Sequence, residues 1–338
     1  MNKLLIVGTV AFDAIETPFG KTDKILGGAG TYIGLSASHF KLEAAIVSVV
    51  GDDFPQEYIN LLTDRNIDVS GLEVVAGGKT FFWSGRYHND LNSRDTLDTQ
   101  LNVLADFQPK VPQNFKTADV VMLGNLHPLV QSSVLDQMEV KPKLVVLDTM
   151  NFWMDCALPE LLDVIKRVDV ITINDEEARQ LSGEYSLVKA AKKIHTMGPK
   201  YVVIKKGEHG ALLFYNHQIF FAPALPLEEV FDPTGAGDTF AGGFAGYITQ
   251  SGLTGNTFVI SELDYDNAPY YNLNDPYYND LNLPLSGTTG TTLNFGDEYY
   301  FYGSLETDIQ ATIYEMRYKV NLSNTEFLTS TNPTWNTT

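Results

Sequence analysis

The chain has 338 residues, 44% hydrophobic and 19% charged, with 42 Asp and Glu against 23 Lys and Arg and a formal net charge of −19. This balance describes a globular chain with a large core and excludes a broad nucleic-acid surface, which needs clustered Lys and Arg. A single cysteine, Cys156, excludes an internal disulfide and predicts a reducing compartment, the cytoplasm.

The first stretch, MNKLLIVGTVAFDAIE, holds a short apolar run followed by Asp13 and Glu16. It has neither a signal-peptide cleavage pattern nor a spanning length and predicts a buried strand. No other stretch approaches the roughly 20 apolar residues of a membrane helix, so no membrane partner is expected. From Lys3 to about Gly252, short runs rich in Val and Ile alternate with helical periodicity, which predicts an α/β sheet covered by helices on both faces. Strands are expected at 4–7, 44–50, 120–123, 144–147, 170–173 and 201–205, and helices at 30–40, 54–65, 158–168, 175–181, 187–197 and 235–249. Ligands of such sheets sit beyond the carboxyl ends of the strands. The aromatic run KTFFWSGRY at 79–87 alternates roughly, and with 9–17 and 71–76 it predicts a small separate sheet, with strands within about 9–17 and 71–100.

After Gly252 the composition changes. Residues 253–338 carry eleven Asp and Glu but only Arg317 and Lys319 as bases, with tyrosine clusters and many Asn, Thr and Gly. Alternation at 307–320 and scattered turn signals predict a β-rich module.

The richest stretch is FDPTGAGDTFAGGF at 231–244, a turn feeding a helix. Gly235, Ala236 and Gly237 are small enough for a ligand to approach the backbone, and the first N–H groups of the helix suit an anion. Asp238, in the first turn, opposes simple phosphate binding but suits a general base for a hydroxyl nucleophile. The alternative is a favourable first-turn charge. Gly27, Gly28 and Gly30 open the first long helix, but no Lys-Ser or Lys-Thr follows, so this is not a P-loop; a plain glycine turn is the alternative. Asn174 and Glu177 in NDEEA supply hard oxygen ligands suited to magnesium, or else a helix cap. The six histidines show no zinc spacing.

DPTGAGDTFAGG resembles the C-terminal signature of the ribokinase-like sugar and nucleoside kinases, the PfkB family, over about residues 1–252. The resemblance implies a ribokinase-like central sheet flanked by helices with a small β lid, and ATP-dependent phosphorylation of a hydroxyl on a sugar or nucleoside. It implies Asp238 as the base and Gly235, Ala236, Gly237 and Asp238 as an anion hole. Asp13, whose carboxylate suits a diol, and Gly27, Gly28 and Gly30 would hold the substrate, with Arg86 or Arg94 reaching from the lid. Asn174 and Glu177 would serve Mg2+. Lys205, Lys206, Gly207 and Gly210 in VVIKKGEHGALLF resemble the strand-turn-strand that borders ATP, with Lys206 reaching a phosphate or else standing as a plain exposed lysine; Asn174 would border ATP too, and Asp148 and Asn151 would line the cleft. Some family members share the lid between two subunits, so a homodimer is expected there. The family's further C-terminal helices are not evident: either the β-like module at 253–338 substitutes for them, or the chain is a fusion of a truncated kinase with an unrelated segment, natural or artificial. The rival reading is a non-catalytic structural or binding protein on a kinase-derived fold, faintly similar in its tail to phage virion proteins.

Overall fold

The structure, a computed structural model, describes residues 2–252 apart from Asn92, Asn216, His217, Pro226, Glu228 and Glu229. The β-rich reading of 253–338 lies outside these residues.

The chain enters through β1 (Lys3–Val7), then runs β2 (Ala11–Thr17), β3 (Gly20–Lys21) and β4 (Ile25–Gly27) into helix α1 (Ala29–Ala37). Next come β5 (Glu43–Gly51), α2 (Gln56–Asp64), β6 (Ile67–Val75), β7 (Phe82–Tyr87) and β8 (Arg94–Gln100). The middle of the chain holds β9 (Val120–Leu123), α3 (Pro128–Asp136), β10 (Leu144–Asp148), α4 (Asn151–Cys156) and α5 (Leu158–Ile165). It closes with β11 (Val170–Asn174), α6 (Asp175–Ser182), α7 (Leu187–His195), β12 (Tyr201–Lys205), β13 (Ala211–Tyr215), β14 (Gln218–Ala222) and α8 (Ala236–Ser251).

Nine strands form one sheet in the order β14-β13-β12-β11-β10-β9-β1-β5-β6, parallel except for the β12-β13-β14 meander. All six strands expected from the Val- and Ile-rich runs are in it. Strand parity explains the runs: Leu4, Ile6, Ile46 and Met122 face one helical layer, while Leu5, Val7, Val47 and Leu123 face the other. From β1 the chain builds outward through β5 and β6, then returns to β9 on the opposite side, so the order reverses beside β1. Ligand clefts form at such switch points.

The small sheet runs β3-β2-β7-β8, with β4 pairing β2. Residues 71–76 do not join it, contrary to the expectation from alternation. They belong to β6, which pairs in parallel with β5 and closes one edge of the large sheet. Helices α3 and α4 were also not expected, because α3 starts on a proline and contains paired serines and α4 spans only six residues.

Helix α8 lies against α1 through small residues. A β-carbon at Gly242 would overlap the Ile33 carbonyl, and one at Gly246 would meet Phe40 and Ala37. Replacing Gly242 with Ala is expected to destabilise the protein by about 1–3 kcal/mol, since backbone must move to admit the methyl group. Thermal unfolding checks this, at roughly 2–4 °C per kcal/mol for a domain of this size.

Candidate active site

The loop before α8 is organised by local hydrogen bonds. Asp232 Oδ1 accepts the Thr234 N–H at 2.9 Å, and the Pro233 carbonyl accepts the Ala236 N–H at 3.1 Å. Gly235 takes the left-handed conformation at φ 72°, and the Tyr32 ring lies so close behind it that a β-carbon would overlap the ring. Both constraints select glycine. The Gly237 and Asp238 N–H groups have no acceptor among the described residues. The Gly235 N–H likewise has none, so of the anion hole expected over 235–238 only Ala236 is engaged, and Gly237 and Asp238 lie in the first turn of a 16-residue helix, at its positive end.

Asp238 is half-buried among charges. Burial pushes its carboxyl up to about 7, Asp148 adds to the rise, and Lys205 opposes it. Lys205 Nζ donates to Asp148 Oδ2 at 2.6 Å, with the two side chains 15% and 6% exposed. A β-carbon at Gly237 would stand 3.1 Å from Lys205 Nζ, so the ammonium borders the first turn of α8. Burial would lower Lys205, yet Asp148 and Glu177 hold it above its ordinary value. The pairing of Lys205 with Asn174 across β12 and β11 sets this lysine beside the next acid.

That acid is Glu177. Its Oε2 accepts the Asn174 N–H at 2.7 Å while Asn174 Oδ1 accepts the Glu177 N–H at 2.8 Å, a reciprocal cap on α6. The helix-cap reading of NDEEA is thus realised. It leaves Glu177 Oε1 without a hydrogen-bond partner among the described residues, whereas the Asn174 side-chain oxygen is committed to the cap. Glu177 is 5% exposed, and burial pushes it up to about 7 against the pull of Lys205. Asp148 and Glu177 supply oxygen donors of the kind a hydrated hard cation takes, and the Thr149 hydroxyl beside Asp148 is buried with no hydrogen-bond partner among the described residues. Among the described residues no cluster of three or more His, Cys, Asp or Glu forms a metal cage.

On the other side of the cleft Asp13 is 6% exposed, and burial pushes it up to about 6 against the Gly28 amide, which lowers it. A β-carbon at Gly27 would overlap the Asp13 carboxylate. Gly28, at φ 94°, and Gly30 pack against the Thr9 and Gly8 backbone, so the glycine run forms the floor under Asp13. On the expectation that Asp13 holds the substrate, replacing Gly27 with Ala, which must displace Asp13, should raise the KM for that substrate at least tenfold, with thermal unfolding as the folding control. One displaced charged hydrogen bond accounts for about that factor.

The lid joins this cleft through Tyr87, whose hydroxyl lies 3.2 Å from Thr234 Oγ1, and through Phe19, which meets Phe231 edge-on at 5.5 Å. Arg86 is not gathered in: its Nε donates to Glu16 Oε1 at 2.8 Å, and strand alternation puts it opposite Tyr87. The exposed Arg94 is the lid arginine whose charge lowers both Asp238 and Glu177. Gly207 and Gly210 form the turn after β12. Lys206 lies over the Phe221 ring at 5.9 Å, and Asn151 bonds to Gln180. The sequence sets Lys205 and Lys206 together at the nucleotide border but gives the phosphate to Lys206, and no motif in it names Tyr32 or Tyr87. The signal for Lys205 was its alignment, as the last strand residue, with the end of the strand that delivers Asn174.

The model of the "pfkB family carbohydrate kinase" matches residues 1–256. The chain belongs to the pfkB family. It is 32% identical over 253 residues to a cytidine kinase of Thermococcus kodakarensis, covering 73% of this chain and 89% of that protein. A nucleoside kinase of Methanothermobacter thermautotrophicus is 26% identical over 262 residues, covering 71% of this chain and 81% of that protein. Among solved structures, the nucleoside kinase of Methanocaldococcus jannaschii superposes with a TM-score of 0.60 at 19% identity, over 74% of this chain and 85% of that one. Ribokinase of Thermotoga maritima gives 0.59 at 20% identity, over 76% and 88%. The fold is accordingly the ribokinase-like α/β fold, and this pfkB protein is a kinase of the carbohydrate and nucleoside class. The alternative of a non-catalytic structural protein finds no support among these relatives. No helix of the described residues is long and apolar enough to cross a membrane.

Proposed function

We propose that this pfkB protein transfers the terminal phosphoryl group of ATP to a hydroxyl of a nucleoside or sugar, with Asp238 as general base. The observation that carries the reading is the meeting, at one helix tip, of a carboxylate raised to about 7 and two unengaged amides, Gly237 and Asp238, with Asp13 across the cleft. Asp13 accepts hydrogen bonds from a diol and fixes the acceptor. The acceptor hydroxyl gives its proton to Asp238 while its oxygen forms a bond to phosphorus and the bond to the departing ADP oxygen breaks. The Gly237 and Asp238 amides donate to the phosphoryl oxygens, where pre-aimed donors act most strongly. Gly207 and Gly210 border the nucleotide in this reading. Glu177, with Asp148 beside it, would hold Mg2+ through water, and the ion would offset phosphate charge.

A nucleoside is the favoured acceptor. The support is the cytidine and nucleoside kinases among the relatives; Trp83, although it pairs with Asp13 in the register of β2 and β7, lays its indole over Gly85 and donates to Thr96 of β8. A homodimer through the lid and a cytoplasmic location belong to the same proposal. They are supported by the exposed edge strand β8 and by the free thiol of Cys156. ADP release with MgATP across a panel of nucleosides and sugars tests the reading. Turnover with a nucleoside supports it; no turnover together with no ATP binding by calorimetry sinks it.

A further inference from the structure

We propose that Lys205 is the cation that accompanies the phosphoryl group during transfer, and that Asp148 holds it in place between turnovers; this rests on the kinase reading above. Lys205 ends β12 with its ammonium between Asp148 and the first turn of α8, 2.6 Å from the carboxylate oxygen and bordering Gly237. Lysine has three N–H donors. One is engaged by Asp148, and no other hydrogen bond of Nζ is found among the described residues. The unengaged donors therefore stand beside the Gly237 and Asp238 amides, in the part of the cleft where an anion would dock.

Charge gives the second argument. Asp148, Glu177 and Asp238 converge here, and Asp13 acts on Asp238 from across the cleft. A phosphate entering four carboxylates is repelled unless positive charge goes with it. The other cation acting on these acids, Arg94, is exposed on the lid, whereas Lys205 is enclosed at the site itself. A structural ion pair would explain the bond to Asp148 but not the ammonium's approach to Gly237. Lys205 stays protonated throughout: the acceptor's proton goes to Asp238, and the lysine contributes only hydrogen bonds to phosphoryl oxygens as the new P–O bond forms and the old one breaks.

The test pairs Lys205→Met with Asp148→Asn, because removing the lysine alone leaves a buried carboxylate unpaired and endangers folding. The double variant is expected to melt within a few degrees of wild type. It should bind ATP about 10- to 100-fold more weakly in EDTA by calorimetry and lose a similar factor in kcat, the size of one charge-assisted hydrogen bond, while the KM for the acceptor moves less than about threefold. Asp148→Asn alone should keep metal-free ATP affinity, since it frees the lysine. A folded double variant with wild-type ATP affinity and kcat would overturn the role of Lys205 and leave the kinase reading intact. A loss of ATP affinity in Asp148→Asn equal to that of the double variant would overturn it too, and a wild-type enzyme without turnover would overturn both.

Discussion

Replacing Asp13 with Ala should raise the KM for the acceptor by about 10²- to 10⁴-fold and leave ATP affinity nearly unchanged. The estimate follows from two hydrogen bonds to one carboxylate, each contributing roughly 1.5–3 kcal/mol when an ion is the acceptor. ATP is spared because Asp13 lies on the lid side, on β2, while the nucleotide borders β11 and β12 in the proposed reading. The same variant should be more stable than wild type at neutral pH. Asp13 has a folded value of about 6, above its ordinary 3.8, so the folded state binds more protons than the unfolded one between those values and stability falls as pH rises through them. Removing the carboxyl removes that loss, on the order of 1–3 kcal/mol. Steady-state kinetics in both substrates and urea unfolding at pH 4.5 and 7.5 check both halves.

The second large effect is expected at Asp238. Asn keeps the size of the side chain and cannot take a proton, so kcat should fall by about 10²- to 10⁴-fold, the usual range for a general base. Nucleotide affinity should hold or tighten, because a negative charge beside the phosphates is gone. The stability of Asp238→Asn relative to wild type should grow as pH rises from about 4 to about 7, the interval between the ordinary and folded values of the acid. Both conditions matter: an inactive variant that had lost its fold would show the opposite stability trend. Rapid-quench kinetics and thermal unfolding across pH separate the cases.

Much of this site was legible because its chemistry sits in short contiguous strings. The glycines around Asp238, the pair Asn174 and Glu177, and the run from Gly27 to Gly30 each announce a backbone requirement that few residues satisfy, and strand parity explains the apolar runs that became the large sheet. What the sequence withheld depends on closure in three dimensions. Alternation in residues 71–76 says that the segment is a strand but not which sheet receives it, and pairing with β5 decided that. Two adjacent lysines end β12, and only register with Asn174 distinguishes Lys205, at the site, from Lys206, over Phe221. Tyr32 and Tyr87 come to the loop from a helix and a lid strand more than a hundred residues away in sequence, so no local pattern could name them. Arg86 failed for a related reason: period-two geometry turns it to Glu16, on the face away from Tyr87.

Glu177 shows how the two readings of one motif coexist. The capping box uses one carboxylate oxygen and the asparagine side chain, which stabilises the start of α6 and fixes the acid in a single orientation. Its second oxygen has no hydrogen-bond partner among the described residues, and the charges of Lys205 and Asp148 act on the group. A cap of this kind supports the site instead of competing with it.

To take the acceptor's proton, Asp238 at the tip of α8 must be ionised. kcat/KM for the acceptor between pH 5 and 9, with MgATP saturating and a nucleoside that turns over, reads this directly. It should level off above about pH 8 and fall about tenfold or more by pH 6 or below, as Asp238 protonates. A profile that stays flat from pH 5 to 9 would contradict it.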